Sequence, residues 1–199
     1  MLHAAETLTR AGIPYIGPGA AAMRLCYDKL AAAERVASAG IESPAETSSY
    51  PMVVKPRFGS DSIGVRVARS GPIPSGYLAQ EWIRGTEITI AYIGGAIGAP
   101  LRIELSPATM YSFARKYLVR ARRAPVEDER VRETAFRIVR LLGVDWAARV
   151  DFIRCADRLV FLECDVAPLV GAGSAFAESL AAAGMPRAEQ LRRLILGAC

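Results

Sequence analysis

The residues with most chemical content lie close together near the end of the chain, in Arg149-Val150-Asp151-Phe152-Ile153 and Phe161-Leu162-Glu163-Cys164-Asp165. Side chains on a strand alternate between faces, so Arg149 and Asp151 share one side, as do Glu163 and Asp165. If the two segments pair antiparallel through a three-residue loop, Ala156-Asp157-Arg158, then Asp151 lies opposite Glu163 and Arg149 opposite Asp165. The other face then carries Val150, Phe152, Leu162 and Cys164 against a core. Opposed Cβ atoms in such a pair sit roughly 4.5–5.5 Å apart. Three carboxylates that close resist ionising together unless a cation joins them. A hard ion with oxygen ligands, Mg²⁺ above all, suits that donor set. The same residues also suit a solvent-facing hairpin in which Arg149 neutralises the acids, and the pattern alone leaves both readings open.

Other residues suit phosphate. Lys55 ends the apolar run Met52-Val53-Val54 and precedes Pro56 and the small-residue loop Arg57-Phe58-Gly59-Ser60-Asp61-Ser62-Ile63-Gly64. Such a loop can wrap a polyphosphate with backbone N–H groups, Ser60 and Ser62 among them, while the lysine neutralises charge. It can equally be a plain hairpin turn, and it is not a Walker A loop, since GxxxxGK[ST] is absent from the sequence. Lys29 is a second candidate phosphate contact, or a solubilising residue on an exposed helix. Gln80-Glu81-Trp82-Ile83-Arg84-Gly85-Thr86-Glu87 crosses a strand–turn–strand pattern whose acids could accept hydrogen bonds from ribose or an adenine amino group; an exposed hairpin accounts for it as well.

Composition narrows the classes. At 199 residues, 52% hydrophobic and 23% charged, the chain is long enough for one good core or two small lobes around a cleft. The single histidine, His3, argues against a Ser–His dyad or a His-rich metal site as the basis for catalysis. The four cysteines show neither CxxC nor metal-ligand spacing and read as reduced thiols. No apolar run approaches the ~20 residues that span a bilayer. Met1 to Arg10 carries Glu6 and no apolar stretch of the secretory kind, so the cytoplasm is the expected compartment. The net charge of +5 suits nucleic acid, a membrane surface or a phosphate ligand, and much of it sits between Arg115 and Arg123. With 8% aromatic residues and no recognised reading motif, neither a nucleic-acid nor a membrane partner is expected.

These residues need strands and helices to place them. A helix fits Leu2 to Ala11, closed by Gly12, and an alanine-rich helix fits Ala21 to Ala39, stopped by Gly40. Strands are predicted over Met52–Lys55, Gly64–Ala68, Leu78–Trp82, Thr86–Ile93 and Leu101–Leu105. Val131, Ala135, Ile138 and Leu142 recur at helical spacing within Glu129 to Leu142. Strands follow over Ala148–Cys155 and Arg158–Asp165, then helices near Phe176–Ala183 and Arg187–Leu196. Hairpins mixed with helices, without regular β-α-β alternation, point to an α+β fold.

Taken in order, these pieces resemble the ATP-grasp superfamily, and D-alanine–D-alanine ligases within it. Gly12-Ile13-Pro14-Tyr15-Ile16-Gly17 resembles the family's GIPYTG joint, Asp28-Lys29 its DK pair, and Pro51-Met52-Val53-Val54-Lys55-Pro56 its phosphate-lysine strand. Ile83-Arg84-Gly85-Thr86-Glu87 is similar to the GxE strand entry, and Lys116-Tyr117-Leu118 to the KYL of a loop that closes over the site. Arg149-Val150-Asp151-Phe152 is similar to RxDF, and Leu162-Glu163-Cys164-Asp165 to the LExN metal strand.

The resemblance implies an ATP-grasp fold, two α+β lobes clasping ATP between their sheets. Residues 1–19 would be the remnant of an N-terminal domain and linker, 20–92 the smaller central lobe, and 93–199 the larger catalytic lobe. It implies two Mg²⁺ ions, with Mn²⁺ as an alternative, on Asp151, Glu163 and Asp165. ATP would meet Lys29, Lys55, Ser60, Ser62, Gln80, Glu81, Glu87 and Lys116. A substrate carboxylate would take the γ-phosphoryl group as an acyl phosphate, and an amine would displace the phosphate. Arg149 would stabilise the charge that develops, and Ser174 would contact the second substrate's carboxylate. The expected partners are ATP and small carboxylate and amine substrates, with a homodimer or a partner chain supplying the missing N-terminal domain. The alternative is a truncated or degenerate ATP-binding module, inactive alone or completed by a partner chain. The chain departs from the family in having Asp165 for Asn, Pro168-Leu169 for Pro-Gly, Gln80 where an acid often meets adenine, and Asp61 for a loop serine, where a partner such as Arg57 would offset the charge.

Overall fold

The computed structural model describes residues 2–59, 63–104 and 122–197. Two antiparallel sheets and six helices make up the described part. The small sheet has three strands, β1 (Met52–Pro56), β2 (Arg66–Ala68) and β3 (Tyr77–Glu81), with β1 in the centre. The large sheet contains β4 (Thr86–Ile93), β5 (Ala96–Ile97), β6 (Leu101–Glu104), β7 (Arg122–Pro125), β8 (Ala147–Cys155) and β9 (Arg158–Asp165). Its order is β7-β6-β4-β8-β9, with β5 folded back on β4. Every described strand pair is antiparallel, in keeping with the α+β expectation.

Helices α1 (Leu2–Arg10), α2 (Ala20–Tyr27), α3 (Lys29–Ala37) and α4 (Glu129–Leu141) bury their apolar stripes on one face of the large sheet. There Ile88, Ile90 and Tyr92 of β4 and Val150 and Phe152 of β8 meet Met23, Val36, Val131 and Ile138. The period predicted for α4 holds: Val131, Ala135, Ile138 and Leu142 are all buried. Asp128 starts that helix by accepting from the Val131 amide at 3.1 Å, and Gly143 follows its end at φ 68°. The opposite face is divided. Helices α5 (Ala175–Ala182) and α6 (Arg187–Leu196) cover one end, where Phe176, Leu180 and Leu194 pack on Ala91, Ile93 and Ala147. The other end carries the acids.

Two expectations are corrected. The alanine-rich segment is two helices, because Asp28 is extended at φ −88°, ψ 98° and its carboxylate accepts from the Leu30 and Ala31 amides. Aspartate competes for local backbone donors in this way, which makes it a better helix starter than helix interior. The second concerns the β8–β9 hairpin. Cys155 pairs with Arg158, so the loop is two residues, Ala156 and Asp157, and not three. A bulge between Asp151 and Phe152 on one side and Glu163 and Phe161 on the other leaves Leu162 as the extra residue. The bulge restores the register beyond it, and Asp151 faces Glu163 while Arg149 faces Asp165, as expected. It also exchanges core residues: Phe161 is buried beside Phe152, and Leu162 is only half-buried.

Candidate active site

Arg149 stands at the centre of the acidic end, its side chain 14% exposed. Its Nη2 donates to Asp151 Oδ2 and its Nε to Asp151 Oδ1, both at 2.9 Å. Nη1 lies 3.5 Å from Asp165 Oδ2, and Nη2 lies 3.9 Å from Glu163 Oε1. One guanidinium thus gathers three carboxylates from two strands. Burial by itself would make Arg149 easier to deprotonate, but Asp151, Asp165 and Glu163 outweigh it and hold the guanidinium firmly charged. Burial also raises the Asp165 carboxyl above the ordinary range, although Arg149 pulls it back and the Ala167 amide donates to Oδ1 at 3.0 Å.

The donor set is hard oxygen on neighbouring strands and carries more negative charge than Arg149 cancels, which fits a divalent cation such as Mg²⁺. Among the described residues no three His, Cys, Asp or Glu side chains are already placed to hold a metal ion. The acids converge, and in this structure the compensating charge is the guanidinium.

The small sheet brings cations to the same place. In the β1–β3 register Val53 faces Gln80 and Lys55 faces Leu78, so Lys55 and Gln80 share a face. The Lys55 amine is buried, and desolvation pulls it down to about 8, although Glu163 of the large sheet favours its charge and Lys29 opposes it. Lys29 and Glu163 are therefore both within electrostatic reach of Lys55. Lys29, also buried, donates its Nζ to the carbonyl of Gly59, at the entrance to residues 60–62.

That entrance is tied to the α2–α3 junction in three further ways. Arg57 grips Asp28 with two hydrogen bonds, at 2.7 and 2.8 Å, and this pairing holds the Asp28 carboxyl below its usual range. The Lys29 amide donates to the Arg57 carbonyl, and the rings of Tyr27 and Phe58 stack with centroids 6.1 Å apart. Arg57, named as a partner that would offset Asp61, pairs with Asp28 among the described residues. Ser60, Asp61, Ser62 and Lys116 lie outside the described residues.

Gln80 is buried and donates its amide to the Pro44 carbonyl at 3.2 Å. Glu81 accepts from the Ala45 amide at 3.2 Å and from Arg158 at 3.4 Å, and Arg158 also pairs with Glu42. Both residues thus join the small sheet to the segment that leads into it. Glu87, half-buried, stands on β4 opposite Ile153, on the face that carries Asp151. Ser174 lies at the start of α5, where its hydroxyl accepts from the Ala177 amide at 3.1 Å. Arg123 secures the turn before it, bonding the Gly173 carbonyl at 2.7 Å and Glu178 through two hydrogen bonds.

Sequence reasoning missed Thr89. It is 1% exposed, faces Asp151 across the β4–β8 pair, and donates its hydroxyl to Asp151 Oδ1 at 2.6 Å. Its only trace in the sequence is its place two residues after Glu87, on the same strand face.

Comparison with known proteins places this geometry in context. Residues 26–168 match the family described as the ATP-grasp domain. The D-alanine–D-alanine ligase of Stutzerimonas stutzeri is 29% identical over 74% of this chain and 57% of its own length. That of Thermotoga petrophila is 31% identical over 93% of this chain and 71% of its own. The chain spans between 57% and 72% of the length of the curated relatives it matches. A solved D-alanine–D-alanine ligase from Bacillus anthracis, complexed with ATP, superposes with a TM-score of 0.79 at 22% identity, covering 98% of this chain and 73% of that one. The VanG D-Ala:D-Ser ligase from Enterococcus faecalis gives 0.83 at 23% identity, covering 96% and 67%. At those identities the structures speak for the fold. With the motifs in order, the two facing sheets and a family match over most of its length, the chain belongs to the ATP-grasp family and counts D-alanine–D-alanine ligases among its relatives.

Proposed function

We propose that the protein is an ATP- and Mg²⁺-dependent carboxylate–amine ligase that works through an acyl phosphate. The observation that carries the reading is the meeting of Arg149, Asp151, Glu163 and Asp165 on the large sheet with buried Lys55 on the small one. A cleft with cations on one wall and acids on the other can hold a polyphosphate only if a metal sits between acid and phosphate. Asp151, Glu163 and Asp165 would hold Mg²⁺, which when bound neutralises charge on the phosphates during transfer.

In this reading Lys29, Lys55, Lys116 and the backbone around Ser60 and Ser62 orient the triphosphate. Gln80 and Glu81 border the base, and Glu87 meets the ribose. The substrate carboxylate oxygen attacks the γ-phosphorus as the bond to the bridging oxygen breaks and ADP leaves. Arg149 stabilises the negative charge on the acyl phosphate. The amine then adds to the acyl carbon, and phosphate departs as the amine loses a proton. Ser174, at the N-terminus of α5, would meet the second substrate's carboxylate, which would gain from the positive end of that helix. The relatives named as D-alanine–D-alanine ligases support a small amino acid at either position.

The test is ADP release with Mg·ATP and a panel of amino-acid and hydroxy-acid pairs, with Glu163→Ala as control. Turnover that requires both substrates and is lost in the variant is the expected result. ATP bound without turnover for any pair would overturn the ligase reading in favour of a nucleotide-binding module.

A further inference from the structure

We infer that Thr89 is a positioning residue for the metal-binding carboxylate of Asp151. The inference rests on the proposed role of Asp151 and extends the site to a strand that no motif marked. Asp151 lies between two donors on opposite sides: Arg149, on its own strand, and Thr89, directly across on β4. The Thr89 hydroxyl and Arg149 Nε meet the same oxygen, Oδ1, at 2.6 and 2.9 Å. Arg149 is a long, flexible side chain, and its hold on the carboxylate changes whenever the guanidinium moves toward phosphate or substrate. Thr89 has no such freedom. It is buried, β-branched, and fixed in an interior strand of the large sheet, whose partner β8 runs beside it from Thr86 through Ile93.

The division of labour follows from these placements. Arg149 must serve three acids and, in the proposed reaction, developing phosphate charge, so its contacts change during the cycle. Thr89 serves one acid and is remote from Asp165 in the register. It fixes the rotation of the Asp151 carboxylate, and with it the oxygen presented to a cation, while Arg149 moves. Partners of this kind, one bond removed from a metal, are worth about 10–100-fold in metal affinity. A structural hydroxyl merely satisfied in a core would move global stability without singling out the metal.

The experiment is Mn²⁺ binding, read by the loss of the free-ion electron paramagnetic resonance signal with ATP present, for the wild-type protein, Thr89→Val and Thr89→Ser. Thermal melting and metal-free ATP binding in EDTA are measured alongside. Valine keeps the shape and removes the hydroxyl; serine keeps the hydroxyl. Mn²⁺ affinity is expected to fall about tenfold or more in Thr89→Val and to stay within about threefold of wild type in Thr89→Ser, with metal-free ATP binding unchanged. Should the valine variant fail to fold, Thr89→Ala carries the same comparison. Equal Mn²⁺ affinity in wild type and Thr89→Val overturns the inference, as does equal loss in both variants or a wild-type protein that binds no Mn²⁺. Failure of the ligase reading looks different: wild type binds Mn²⁺ and ATP without turnover, and the contrast between valine and serine persists.

Discussion

Lys55 sets the pH behaviour of the cleft at the level of a single proton. Its amine titrates near 8 in the folded protein against an ordinary value of 10.5, because burial penalises the charged form. Between those pH values the unfolded chain binds more protons, so the stability of the nucleotide-free protein rises with pH across the window, by about 3 kcal/mol in all. Below pH 8 both states are protonated and the burial penalty stands in full. Phosphate binding runs the other way, since it needs the charged amine. ATP affinity is expected to hold up to pH 8 and then to weaken, approaching tenfold per unit. Melting temperatures and calorimetric ATP titrations between pH 7 and 10 check both slopes, and Lys55→Met should flatten both. An ATP affinity that stays constant to pH 10 would rule out a charged Lys55 as a phosphate contact. The chemistry of Arg149 and its three acids was legible in the sequence because a local hairpin pairs them. Thr89 was not, since its bond to Asp151 joins residues 62 apart in the chain. Nothing local specifies that strand pairing.

At the scale of elements, the hairpin shows how an incorrect detail can still give the right site. A three-residue loop and a two-residue loop followed by a bulge produce the same pairing at Asp151 and Glu163, so the alternation of side chains could not tell them apart. What separates them is Ala156, which adopts φ 50° in the tight turn, a conformation suited to glycine. Ala156→Gly is therefore expected to stabilise the protein by about 0.5–1 kcal/mol in urea denaturation, with ATP binding unchanged. A destabilised variant would mean that the turn does not hold that conformation in solution. The same limit applied to the α2–α3 break. The alanine-rich composition favours continuous helix, and the opposing pull comes from Arg57, 29 residues further on, which fixes Asp28 in its capping role. Most other strand and helix positions were readable because burial follows the period. In β6, for example, Leu101 and Ile103 turn inward while Arg102 and Glu104 turn out. Strands β5 and β7 were not readable: neither alternates between a buried and an exposed face.

Across the whole molecule the two sheets are unequal partners, and the inequality has a measurable consequence. Among the described residues, the core on the large sheet joins twenty-three buried residues, drawn mostly from four helices and the strands they cover, whereas the small sheet's own core holds three, Met52, Val54 and Ala68. At roughly 25 cal/mol per Å² of buried apolar surface, a three-residue core cannot sustain a sheet alone. Its attachment includes the Arg57–Asp28 and Arg158–Glu81 ion pairs, the Gln80 bond to Pro44 and the Tyr27–Phe58 stack. The cleft face of that sheet, with Lys55, is the surface that the proposed nucleotide would cover. Residues 52–81 should therefore open locally at lower free energy than residues 86–93 and 147–165, and should gain most when ATP bridges the sheets. Hydrogen exchange read by mass spectrometry is expected to show faster amide exchange in β1 to β3 than in β4, β8 and β9. Saturating Mg·ATP should slow the first group selectively. A nucleotide present at a hundred times its dissociation constant adds about 2.7 kcal/mol to the free energy of any opening that must release it, a slowing near a hundredfold. Uniform exchange across both sheets, unchanged by nucleotide, would show that ATP does not bind between them.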